Sequence, residues 1–206
     1  MRAPALRRYR ELLQAAWVRE APVGPVDETL ARVGRVLRDA DIPFAVAGGF
    51  AVIEHGYERF TRDVDLLVYA RDLSRSMQAL RAAGFRGGRT PIGAKLRDEH
   101  TGVDVDLVGT GFEGDERALA RSLRERRLLP VIPVGHLILM KLESGRSKDD
   151  ADVVELLKAG ASPAAVARYL RRTWPELLPR FRRLTAQART ERTPRPRRPP
   201  VRRTRR

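Results

Sequence analysis

Two short runs of this chain alternate aspartate with apolar residues. One is Asp63-Val64-Asp65, leading into the apolar stretch Leu66 to Tyr69; the other is Val103-Asp104-Val105-Asp106-Leu107-Val108. Strict alternation is a strand signature, because successive side chains of a strand point to opposite faces. Asp63 and Asp65 thus share one face of one strand, and Asp104 and Asp106 share one face of another. Paired carboxylates repel each other. A hard divalent cation, Mg²⁺ (or Mn²⁺), prefers such oxygen ligands and relieves the repulsion. A single Asp-x-Asp on its own reads equally well as a solvated strand face; two of them on neighbouring strands point to a metal.

The stretch before the first pair adds a second element. Ile42 to Ala47 is apolar and ends in Gly48-Gly49, and Phe50 to His55 then reads as a short helix. A glycine pair that opens a helix offers bare backbone N–H groups to a phosphate. A metal site facing a phosphate site is the arrangement that nucleotide chemistry requires. Asp63 and Asp65 plus a third acid on the second strand would make a two-metal site, which holds the attacking and leaving oxygens of a nucleotidyl transfer in line. Asp106 is the favoured third acid, because the Leu107-Val108-Gly109 run after it looks like the end of such a strand; Asp104 is the alternative.

Basic residues supply the remaining candidates. Asp149 and Asp152 are three apart and Lys148 and Asp152 four apart, so they share one helix face. Lys141 and Lys148 are candidate phosphate contacts, set against the reading of a salt-bridged, exposed helix. Arg59 and Thr61 precede the first acids and are placed to orient them or the nucleotide. His55 is expected to pack or to hydrogen-bond locally. His100 and His136 have no evident partner, and Trp17 and Trp174 read as packing residues.

Four segments follow from the patterning. Residues 1–22 contain an amphipathic helix with Leu6, Tyr9, Leu12, Leu13, Ala16 and Trp17 at helical spacing. Residues 23–160 hold the strands and six further helical stretches, the first capped by Asp27. Gly87-Gly88 and Pro91-Ile92-Gly93 read there as irregular chain. Residues 161–184 form C-terminal helices, the last expected to end near Arg183. Residues 185–206 are Arg, Pro and Thr with almost no apolar material, a composition that predicts disorder.

Composition narrows the function classes. No apolar run approaches the ~18 residues of a membrane span, and the basic N-terminus has no continuous apolar signal region. The chain has no cysteine, which excludes disulfides, zinc–thiolate sites and a cysteine nucleophile. These features suggest a cytoplasmic protein. The net charge is +15, of which residues 182–206, with eleven arginines against one glutamate, carry +10. Clustered arginines bind phosphate chains without regard to sequence, so the tail makes tRNA or another RNA a candidate partner; a solubilising extension is the competing reading.

Taken together, these motifs resemble the nucleotidyltransferase superfamily that includes DNA polymerase β and the kanamycin nucleotidyltransferases. The superfamily pattern of Gly-Gly or Gly-Ser, a spacer, Asp-x-Asp and a later acid is matched by Gly48-Gly49, thirteen residues, Asp63-Val64-Asp65 and then Asp104 or Asp106. The chain is most similar to small bacterial nucleotidyltransferases of the abortive-infection toxin type. Their motifs are matched by Gly48-Gly49, His55-Gly56, Arg59 to Asp65, Lys141 and Arg146 to Asp152. The resemblance covers roughly residues 27–160. It implies an α+β fold, with a mixed sheet, packed helices and a helical C-terminal part. It also implies Mg²⁺-dependent transfer of a nucleoside monophosphate from NTP, with pyrophosphate leaving. Many members carry serine where this chain has Gly49. The acceptor (RNA, protein or small molecule), a cognate partner protein, and a toxin, antitoxin or resistance role all stay open. A weakly catalytic binding module that keeps the fold is the alternative.

Overall fold

The computed structural model describes residues 24–125, 127 and 129–191. The expected helix within 1–22 and the tail from 192 lie outside them. The elements in chain order are α1 (Pro25–Asp39), β1 (Phe44–Val46), α2 (Gly48–Glu54), β2 (Asp63–Val68), α3 (Leu73–Ala82), β3 (Phe85–Thr90), β4 (Gly93–Asp98), β5 (Asp104–Gly109), α4 (Glu113–Arg124), α5 (Val134–Ser144), α6 (Ser147–Ala159), α7 (Pro163–Thr173) and α8 (Leu178–Thr190). The strands form one sheet in the order β1-β2-β5-β4-β3. Only β2 and β5 pair in parallel; the other neighbours are antiparallel.

The side-chain period explains how the sheet is packed. Val64, Leu66 and Val68 of β2, Val105 and Leu107 of β5, and Ala94 and Leu96 of β4 all point to one face. There they join Leu30, Val33 and Leu37 of α1 and Met77 and Leu80 of α3 in a single apolar cluster. Helix α1 is suited to this position: Pro25 begins it, Asp27 and Glu28 occupy its first turn, and its apolar stripe faces inward. Asp27 therefore sits inside the helix rather than capping it; the cap position is Gly24.

The opposite face is apolar only in part. Ala45 of β1 and Leu67 of β2 meet Leu119 of α4, Leu137 to Leu139 of α5, and Val153 and Val154 of α6. Val166 and Leu170 of α7 and Phe181 and Leu184 of α8 extend that same cluster, so the core continues through the C-terminal helices. Towards the N-terminal end of β2 and across β5 and β4 this face turns to charge, and among the described residues no helix covers it in the same way. That uncovered area is where the site lies.

Two boundaries differ from expectation. Helix α8 runs to Thr190, past Arg183 and past the predicted start of disorder at 185, because Phe181, Leu184 and Ala188 continue an i, i+3, i+7 stripe and are all buried. The stretch expected to be irregular at Gly87-Gly88 is the middle of edge strand β3. Gly87 has φ +154, and a Cβ there would lie 2.1 Å from the Lys95 carbonyl oxygen. Glycine is what allows β3 to approach β4 so closely. No helix among the described residues is long and apolar enough to cross a membrane.

Candidate active site

The parallel register of β2 and β5 sets Asp63 beside Asp104 and Asp65 beside Asp106. All four side chains therefore emerge on the charged face. One oxygen from each of Asp63, Asp65 and Asp106 falls within 4.8 Å of the others. Asp104 is drawn away instead: Lys95 Nζ lies 3.2 Å from its carboxylate and Arg97 Nη1 lies 3.0 Å away. Both bases come from β4, where Arg97 faces Asp104 and Lys95 faces Asp106 in the register. The sequence pattern favours Asp106 and keeps Asp104 as the alternative; in the structure Lys95 and Arg97 of β4 engage Asp104.

Electrostatics follow this placement. Burial, then the charges of Asp63 and Asp106, push the Asp65 carboxyl up to about 6, against the opposing effects of Lys141 and the Gly49 N–H. Burial also raises Asp106, with Asp63 and Asp104 adding to the shift and Lys95 and Arg146 opposing it. Burial acts in the same direction on Asp104, but hydrogen bonds from Lys95 and Arg97 outweigh it and hold that carboxyl below its ordinary value. Three convergent carboxylates form a donor set of hard oxygens that fits Mg²⁺ or Mn²⁺.

The glycine pair shapes this site from below. Gly48 has φ +54, and a Cβ on it would lie 1.7 Å from Asp65 Oδ2. The Gly49 N–H donates to the Asp65 carboxylate. A Cβ on Gly49 would lie 2.4 Å from Thr61 Oγ1, and Thr61 Oγ1 in turn donates to Asp63 Oδ1 at 3.2 Å. Both glycines therefore leave room for the acids and for their supporting hydroxyl. A Gly48→Ala chain should lose about 100-fold in Mn²⁺ affinity by calorimetric titration, because a left-handed alanine is strained and its methyl occupies the space of Asp65. A wild-type isotherm would refute this account of Gly48.

The basic candidates have different partners from those expected. Lys141 is buried, with Nζ 2.6 Å from Asp149 and 2.8 Å from Asp152. Arg59 Nη1 donates to Asp152 Oδ1 at 2.6 Å. Asp149 also accepts from Ser144 and Arg146, and these bonds, with Lys141, overcome its burial and hold it down at about 2. The segment before the acids and the α5–α6 segment are thus joined through one ion network, Arg59–Asp152–Lys141–Asp149–Arg146. Lys141 is a candidate phosphate contact, set against a salt-bridged exposed helix; in the structure it is salt-bridged but buried, its ammonium paired with Asp149 and Asp152. Lys148 is exposed. Arg146 is mostly exposed and its charge acts on Asp106, while that of Lys141 acts on Asp65.

The histidines also differ from expectation. His55 Nε2 lies 2.8 Å from the Ile132 carbonyl oxygen, far away in sequence rather than local. His100 lies 3.1 Å from Glu28. His136 is buried, with Nδ1 2.7 Å from the Tyr169 hydroxyl and Nε2 3.0 Å from Asp115. Nothing in the spacing of these three residues announces that cluster. Trp174 packs edge-on against Phe112; Trp17 lies outside the described residues.

Comparison with solved structures identifies the fold. The crystal structure of ANT(2″)-Ia in complex with adenylyl-2″-tobramycin superposes with a TM-score of 0.50 at 12% identity, over 79% of this chain and 95% of that one. The solution structure of the same antibiotic-resistance factor gives 0.49 at 13% identity, over 78% and 89%. The chain has a nucleotidyltransferase fold, a mixed five-stranded sheet with packed helices. No family model matches it. Among curated proteins, the 8-amino-7-oxononanoate synthase of Pseudomonas entomophila (strain L48) is 38% identical over 81 residues, 36% of this chain. The chain spans only 20% of that enzyme's length.

Proposed function

We propose that this protein is a nucleotidyltransferase that moves a nucleoside monophosphate from an NTP to an acceptor hydroxyl, with Mg²⁺ at Asp63, Asp65 and Asp106. The observation that carries this reading is the convergence of those three carboxylates above the Gly48-Gly49 turn, within a nucleotidyltransferase fold. The acceptor oxygen attacks the α-phosphorus, the bond to the bridging oxygen breaks, and pyrophosphate leaves. The metal, when bound, would neutralise charge on the phosphate oxygens and steady the leaving group.

The chain's own residues do the positioning. Thr61 holds the Asp63 carboxylate, and the Gly49 N–H holds that of Asp65. Asp106, at the edge of the triad towards β4, is the acid placed to take the proton of the acceptor hydroxyl. Arg146 is the basic side chain available to the phosphates. Arg59 acts through Asp152, fixing the segment that carries Thr61. The likeness to abortive-infection nucleotidyltransferases belongs to the same proposal; its two motifs, around Arg59 and Lys141, meet at Asp152.

The test is incubation of the protein with each labelled NTP, Mg²⁺ and bulk tRNA or cell extract, followed by mass analysis of RNA, protein and small molecules. Label should move to one acceptor class, and Asp63→Asn should abolish the transfer. Asp106→Asn should cost at least ~100-fold, whereas Asp104→Asn should cost less than ~10-fold because Asp104 is bound to β4. The reverse order would make Asp104 the third acid. Absence of transfer with every NTP, together with no Mg²⁺ binding, would leave a binding module that only keeps the fold.

A further inference from the structure

The charged face of the sheet has an order of its own. Reading across the registers, one row of side chains runs Asp65, Asp106, Lys95, Gly88, and the row beside it runs Asp63, Asp104, Arg97, Arg86. Both rows go from acid on β2 and β5 to base or open space on β4 and β3. Neighbouring strands are about 4.8 Å apart, so each row covers roughly 14 Å. The basic end is solvent-facing: the side chains of Lys95, Arg97 and Arg86 are 54%, 63% and 69% exposed. A Cβ at Gly88 would meet nothing within 4 Å.

We propose that this basic half of the sheet face carries the phosphates of a single-stranded nucleic acid, whose terminal hydroxyl then lies over Asp106. The inference rests on the transferase reading above, and it names the acceptor class for that site. Three observations support it. First, the bases continue directly from the acids: Lys95 Nζ lies 3.9 Å from Asp106. A chain held by its phosphates on β4 and β3 ends where the third acid is. Second, Arg86 sits directly opposite Arg97 on antiparallel strands. Like charges in that position destabilise a sheet; Asp104 and Glu99 offset this only through solvent-exposed pairs, and a phosphate bridging both guanidiniums would offset more of it. Third, the acids nearby position the bases without consuming them. Asp104 holds Lys95 and Arg97, and Glu99 lies 3.3 Å from Arg86. Exposed ion pairs of this kind contribute little, so a phosphate, which arginine binds through two parallel hydrogen bonds, competes well with them. A polycationic acceptor would meet three like charges on the same path.

The experiment measures binding without turnover. Fluorescence anisotropy of a short fluorescein-labelled single-stranded RNA, and of DNA of the same sequence, is followed with the full chain across a salt series. NTP and Mg²⁺ are left out. The double variant Lys95→Gln/Arg97→Gln should bind about 10-fold more weakly at low salt. Its slope of log K against log salt should be shallower by about 1.4, or ~0.7 for each lost phosphate contact. The tail's contribution is common to all variants and cancels in this difference. Gly88→Arg should do the opposite, tightening binding several-fold and steepening the slope by about 0.7; a misfolded chain cannot imitate that gain. Unchanged slopes in both variants would overturn the proposal. So would a rise in the KM for NTP with nucleic-acid affinity intact, which would give these bases to the triphosphate. Binding of poly-glutamate in place of RNA and DNA would give them to an acidic protein. Because binding is read apart from transfer, an inactive protein that still shows the slope changes would refute the reaction and leave this surface standing.

Discussion

A chain carrying Asp65→Asn should transfer no nucleotide, bind Mg²⁺ only weakly, and melt higher than the wild type at neutral pH without metal. The activity loss follows from removing the central carboxylate of the triad. The gain in stability follows from its environment. Burial and two neighbouring carboxylates raise Asp65 from 3.8 to about 6, so at neutral pH the folded state carries a charge it disfavours. A shift of that size corresponds to about 3 kcal/mol. Partial exposure to solvent screens it, and about 1–2 kcal/mol, or a few degrees in Tm, is the expected gain. The pH dependence has a definite sign. Between about 3.8 and about 6 the folded chain binds a proton at Asp65 that the unfolded chain does not, so metal-free stability rises as pH falls through that window. The rise should be absent from Asp65→Asn. Mg²⁺ should raise the Tm of the wild type and not of the variant. Calorimetric melting in EDTA and in Mg²⁺ reads all of this, and a variant that melts lower than the wild type in EDTA would sink the argument.

The second large effect is one of stability. Lys141→Met should destabilise the fold by about 3–5 kcal/mol, because it leaves Asp149 and Asp152 charged and buried without their shared cation. Lys148→Ala, at an exposed position in the first turn of α6, should change stability by less than ~0.5 kcal/mol. Adding Asp152→Asn to Lys141→Met should restore part of the loss, since the buried carboxylate left with Arg59 as its remaining partner is then uncharged. Asp149 gives the pH signature. Its folded pKa is held near 2, below its unfolded value. The stabilisation it provides is therefore complete above about 3.8 and is lost as pH falls through about 2. Without Lys141 that acid limb should begin at higher pH. Urea unfolding followed by circular dichroism measures both effects. A loss under 1 kcal/mol, accompanied by a raised KM for NTP, would return Lys141 to the role of phosphate contact.

The sequence announces some of this site and hides the rest for identifiable reasons. Alternation placed Asp63 with Asp65 and Asp104 with Asp106, because a strand's two-residue period needs no tertiary information. It favoured Asp106 as the third acid but kept Asp104 as the alternative, since both candidates lie on the same face. The choice depends on Lys95 and Arg97, which reach Asp104 only through the β4–β5 register. The helix period placed Lys141 and Asp149 in helices, but period alone does not say which polar residues end up buried. Edge strand β3 was obscured by its own Gly-Gly, read as a break when it is a point of close backbone approach. The extension of α8 to Thr190 was readable in Phe181, Leu184 and Ala188, and the surrounding arginines masked it. The link between Asp115, His136 and Tyr169 draws on three separate helices and leaves no local pattern.

The contact between Gly49 and Thr61 ties two positions into one steric unit. A serine at 49 would bring a hydroxyl in from α2. Here the space of that serine's Cβ lies 2.4 Å from the Thr61 oxygen, so the hydroxyl arrives from the opposite wall of the site. A serine at 49 and a threonine at 61 exclude each other sterically. Substitution at either position is therefore expected to be accepted only as a compensated exchange, with size removed on one wall as it is added on the other.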